Sequence, residues 1–106
     1  MAVILAFAHL DDENHADIVN YEVLSNNSPA FVSDCLIENS KDMDQLAFRY
    51  IFQYARTMQI EEYGYLASAT QGVGARIYKN GDGAKIFITY RRNQKEKIDS
   101  LMEVCA

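Results

Sequence analysis

Val73-Gly74-Ala75-Arg76-Ile77-Tyr78-Lys79-Asn80-Gly81-Asp82-Gly83-Ala84-Lys85-Ile86-Phe87-Ile88-Thr89-Tyr90 is two alternating apolar runs around Asn-Gly-Asp-Gly. Asn and Gly accept the left-handed dihedrals of a tight turn. The spacing predicts a β-hairpin, with strands over 73–79 and 84–90. Val73, Ala75 and Ile77 would share a face with Ile86, Ile88 and Tyr90. This hairpin is the strongest short-range signal in the chain, and it makes the sheet antiparallel.

Working back from the hairpin, Gln71-Gly72-Val73-Gly74 lacks the Lys of a phosphate-binding loop and the third Gly of a dinucleotide site, so it reads as a turn or bulge. Before it, Tyr63, Tyr65, Ala67 and Ala69 alternate as a strand. Further back, Met43, Leu46, Ala47, Tyr50, Ile51, Tyr54 and Met58 fall at helical spacing behind a cap at Ser40 or Asp42. That predicts a first helix, with Phe48 and Phe52 as a second apolar pair four residues apart. Ser25-Asn26-Asn27-Ser28-Pro29, which holds the only proline, reads as a loop. Three strands are expected from the N-terminal part, over 2–9, 17–24 and 30–37. In the second, Val19, Tyr21 and Val23 alternate with Asn20 and Glu22.

Beyond the hairpin, Asn93 with Glu96 fits a capping box. Ile98, Leu101, Met102 and Cys105 give a second helix one apolar stripe. The expected order is β-β-β-α-β-β-α-like: an α+β fold with about five or six antiparallel strands packed against two helices. At 106 residues the chain is read as a single domain, 1–106.

Composition narrows the function classes. The chain is 49% hydrophobic and 24% charged, so a packed core is expected rather than disorder. No run approaches the ~18 apolar residues of a membrane span. The opening MAVILAFAHL has no basic flank and runs into Asp11, Asp12 and Glu13, unlike a signal peptide. A cytoplasmic location follows as an expectation. Cys35 and Cys105 are too few for a disulfide framework and lack paired zinc spacing, so they are expected as free buried thiols.

Charge is uneven. Residues 1–62 carry eleven acids and three bases, whereas 63–106 carry four acids and seven bases, and the chain totals −5. An overall negative charge disfavours non-specific nucleic-acid binding and suits docking on a basic protein. Arg91, Arg92, Lys95 and Lys97, next to Tyr90, are read as a solvated cluster between two elements.

Ala8-His9-Leu10-Asp11-Asp12-Glu13 resembles the AHPDDE motif of the LmbE/PIG-L deacetylases, zinc enzymes that remove N-acetyl groups from sugars. By that resemblance His9 and Asp12 would bind metal and Asp11 would serve as base. Leu10 stands where the motif has proline, and no His follows His15 to complete a ligand set. The likeness ends with these residues, and His9, Asp12 and His15 remain weak metal candidates. No nucleophile-base arrangement stands out, and no cofactor is expected.

The leading expectation is a small acidic protein-interaction module, of the inhibitor or immunity type, that masks the basic surface of another protein. Asp42, Asp44, Glu61 and Glu62 would supply carboxylates, and Phe48 and Phe52 apolar contact. The alternative is a small-ligand-binding domain or minor enzyme, its pocket between sheet and first helix lined by Tyr50, Tyr54, Tyr63 and Tyr65. A homodimer is compatible with either.

Overall fold

The computed structural model describes residues 17–43, 46–53 and 62–106. Their order is β1 (Ile18–Ser25), α1 (Pro29–Ser40), β2 (Phe48–Gln53), β3 (Glu62–Ser68), β4 (Gly74–Asn80), β5 (Gly83–Arg91), a 3-10 turn (Arg92–Gln94) and α2 (Lys95–Cys105). The five strands form one antiparallel sheet in the order β1-β5-β4-β3-β2. The described residues thus form an α+β fold of five antiparallel strands and two helices. The expected strand over 2–9 lies outside the described residues.

The hairpin forms as its turn chemistry requires. Gly81 takes a φ of 59°, and Asn80 pairs with Gly83. Ile77, Ile86 and Ile88 point to one face and are buried, together with Leu66 from β3. β1 joins the other side of β5, with Val23 opposite Ile86 and Tyr21 opposite Ile88. Both helices cover that face. Val32 and Leu36 of α1 and Ile98, Leu101 and Met102 of α2 complete the core.

Residues 30–37 are helix, which corrects the expected strand. Ser28 caps the first turn by accepting the Phe31 amide at 3.2 Å, and Pro29 occupies the first helical position. Val32, Cys35 and Leu36 are buried, a spacing of three and four rather than two.

The expected first helix is corrected in turn, because Phe48–Gln53 is strand β2. Phe48 pairs with Ser68 and Tyr50 with Leu66, and the register shifts between Tyr50 and Phe52. Aromatic and β-branched side chains suit such a strand, and β3 pairs the backbone groups along one of its sides. Tyr54 and Met58 lie outside the described residues.

The thiols are also corrected: Cys35 and Cys105 form a disulfide that ties α1 to α2. The capping box at Asn93 is not formed. Gln94 is the residue before α2 and makes no side-chain cap. At the other end of α2, Asn27 Nδ2 donates to the carbonyls of Cys105 at 3.3 Å and Ala106 at 3.0 Å, and Ser25 Oγ donates to Ala106 at 3.1 Å. The turn between β1 and α1 therefore satisfies carbonyls that a helix end leaves unpaired.

Candidate functional site

The tyrosines expected to line one pocket are divided by the sheet. Tyr50 and Tyr63 pack against the core on the helix side, whereas Tyr65 pairs with Arg76 on the opposite face. Tyr50 donates its hydroxyl to Asp34 Oδ1 at 3.4 Å, and Gln53 Nε2 donates to the Tyr63 hydroxyl at 3.0 Å. Burial pushes the Tyr50 phenol up to about 12. Tyr54 lies outside the described residues, as do His9, Asp12 and His15.

The residues expected to meet a partner are also separated. Phe48 is buried among the core residues, and Phe52 is exposed on the other side of β2. Asp42 is exposed just beyond α1. Glu62 is ion-paired with Arg76 at 2.9 Å on the face away from the helices. Asp44 and Glu61 lie outside the described residues.

Two surfaces emerge instead. The first is a shallow groove of about 410 Å³ between the helices. Phe31 in the first turn of α1 and Val104 in the last turn of α2 are its walls, 50% and 59% exposed. Cys35 and Asn39 lie between them, and the carboxylates Asp34 and Glu38 form the rim. α1 carries no basic residue. Lys41, the nearest base in sequence, reaches Glu38 at 2.6 Å, but both are exposed and such pairs contribute little. Reading 30–37 as a strand hid this groove, since Phe31, Asp34 and Glu38 share a side only on a helix.

The second surface is the sheet face away from the helices, which no described element crosses. Antiparallel pairing puts Glu22 and Leu24 of β1, Lys85, Phe87, Thr89 and Arg91 of β5, and Arg76 and Tyr78 of β4 on this side. Tyr65 and Ala67 of β3 and Arg49 and Phe52 of β2 extend it. A hollow of about 350 Å³ opens here, over Ala67 and Gly74. Its floor is low because neither residue carries more than a methyl group. Tyr65 leans across Gly74, where an added Cβ would sit 3.3 Å from the ring. The Arg76 guanidinium stacks 4.5 Å from the Tyr65 ring centre, a cation–π contact. Phe87 borders the hollow and meets Tyr78 edge-on at 5.3 Å. At the far end, Arg91 Nε donates to the Gln71 carbonyl at 3.1 Å, which brings the guanidinium alongside Gly72 in the β3–β4 turn.

Among the described residues no group of three or more His, Cys, Asp or Glu side chains is placed to hold a metal ion, and no helix is long and apolar enough to cross a membrane. No protein-family model, no curated protein and no solved structure matches this chain.

Proposed function

We propose that the protein is a small interaction module that binds a basic segment of another protein through the groove between α1 and α2. The observation that carries this is the pairing of exposed Phe31 and Val104 with the carboxylates of Asp34 and Glu38 around one depression. Exposed apolar side chains rimmed by charge are the usual anatomy of a protein contact. The negative rim steers a cationic partner and disfavours an acidic one. Glu103, exposed beside Val104, adds to the same sign. An inhibitor that occupies the basic working surface of its target would act in this way, with no bond made or broken by the module itself.

The Cys35–Cys105 disulfide lies beneath this groove and fixes the spacing of its two walls. Such bonds persist in oxidising compartments and are rare in the cytosol, which argues against the cytoplasmic expectation.

The test uses the full chain as bait in an extract of the source cells, beside Asp34→Lys/Glu38→Lys and Phe31→Asp variants. The wild type should retain a basic protein in a salt-sensitive complex, and both variants should lose it while their circular dichroism is unchanged. A partner that binds both variants as tightly as the wild type would remove the groove from the reading.

A further inference from the structure

The open sheet face has the opposite character from the groove. Among the described residues four cations (Arg49, Arg76, Lys85, Arg91) project from it against two carboxylates (Glu22, Glu62), within a chain of net charge −5. At physiological ionic strength charges are screened beyond about 8 Å, so acids elsewhere on the molecule do little to cancel this local excess. The face also carries the aromatic rings of Tyr65, Tyr78, Phe87 and Phe52.

We propose that the hollow over Ala67 and Gly74 is a binding site for a nucleotide, its base lying over Ala67 alongside the row Tyr65, Arg76 and Phe87 and its phosphate meeting Arg91 and Arg76. The floor admits a planar ring because the paired positions Ala67 and Gly74 carry nothing larger than a methyl group, and the Tyr65 ring that leans across Gly74 continues that flat surface. Aromatic side chains on an open sheet supply stacking surface that is tolerant of base identity. The two guanidiniums flank the depression and are already positioned. Arg76 is held by the Tyr65 ring and by Glu62, and Arg91 is held by the Gln71 carbonyl. Each of these arginines gives a hydrogen bond to its holder and keeps further N–H donors for a phosphate. The same chemistry is offered by a free mononucleotide and by one unit of a single strand.

The experiment is a titration of the isotope-labelled full chain, followed by amide chemical shifts, with adenosine, AMP, UMP and single-stranded RNA of about six nucleotides. The result expected is a set of saturable shifts centred on Tyr65, Gly72, Gly74, Arg76 and Phe87. Ala67→Leu fills the hollow with a side chain that a strand accommodates, and it should abolish the shifts while leaving the rest of the spectrum in place. Arg91→Gln should weaken AMP by about tenfold or more and leave adenosine nearly unchanged, since only the charged hydrogen bond is removed. RNA that binds far more tightly than AMP, with an affinity that falls steeply as salt is added, identifies the single strand as the source. Equal affinity for AMP and RNA identifies the free nucleotide. Absence of shifts at these residues with every probe, or binding that survives Ala67→Leu, overturns the proposal.

Discussion

The buried hydroxyl of Ser40, the last residue of α1, accepts the backbone amide of Phe48, the first residue of β2, at 2.9 Å. The same hydroxyl donates to the Ile37 carbonyl at 3.4 Å, so one side chain joins the end of a helix to the start of an edge strand. Ser40→Ala leaves the Phe48 amide buried without that acceptor. The expected cost is about 1–3 kcal/mol. In urea unfolding the midpoint should fall with the slope unchanged. An unaltered midpoint would mean that another acceptor serves this amide.

The disulfide closes a loop with a sequence separation of 70 residues. Restricting the unfolded chain over such a loop contributes about 4 kcal/mol in the chain-entropy model. Reduction, or the double change Cys35→Ala/Cys105→Ala, should lower the denaturation midpoint strongly while the sheet persists at low denaturant. Intact mass before and after reduction should differ by two hydrogens. Two thiols reacting with maleimide in the unreduced, unfolded protein would contradict the bond.

Alkaline pH tests the packing of Tyr50. Burial is the largest cause that raises its phenol from 10.0 to about 12 in the folded chain. The folded state therefore holds this proton more tightly than the unfolded state does. The resulting stability is fully present below pH 10 and is lost as pH rises from 10 towards 12. Tyr21 is shifted in the same direction, also first by burial. Unfolding midpoints should be flat from neutral pH to about 9 and then decline. Tyr50→Phe should make that decline shallower; an identical decline in the variant would show that Tyr50 contributes nothing to it.

Two glycines of the β4–β5 hairpin should respond differently to alanine. At Gly81 the φ of 59° carries the strain, and no neighbour lies within 4 Å of an added Cβ. The cost there is about 1–2 kcal/mol. At Gly83 the Cβ would fall 2.1 Å from the Ser25 carbonyl oxygen, a backbone atom that cannot move without shifting the end of β1. Thermal melts should show Gly83→Ala as clearly the more damaging. Equal losses would mean that β1 yields at Ser25 without cost.

The sequence reading was sound where local chemistry was unambiguous. β1, β3, the β4–β5 hairpin and the final helix all lie within a few residues of where alternation, turn residues and the apolar stripe placed them. It failed at the two segments whose local signal fits more than one structure. Leu46, Phe48, Tyr50 and Phe52 alternate with a period of two, yet the same stretch also satisfies helical spacing through Leu46, Ala47, Tyr50 and Ile51. Pairing with β3, a contact outside the segment, resolves the tie. In the other case Ser28-Pro29 fits a loop and a helix start equally well, and the structure takes the helix start.

The candidate surfaces were less legible because they depend on which strands are neighbours. Arg49, Arg76, Lys85 and Arg91 come from three strands, β2, β4 and β5, and the order β1-β5-β4-β3-β2 with its register gathers them on one side. The register of β2 on β3 sets Tyr50 opposite Leu66 and so on the other face from Tyr65, although the sequence groups the two. The groove needed α1 to be recognised as a helix and Cys35 to be placed against Cys105.

That strand order also has a consequence for how the protein is made. β1 is made before the other described strands, but its only strand partner among the described elements is β5, the last of them, with Ile18 set against Arg91. The meander β2-β3-β4-β5 can zip as it appears, while β1 must wait for its described partner until β5 has been made. Final closure of the sheet is therefore a long-range event, slow compared with hairpin formation. Until it occurs, the nascent chain presents a strand edge on which a neighbouring chain can add.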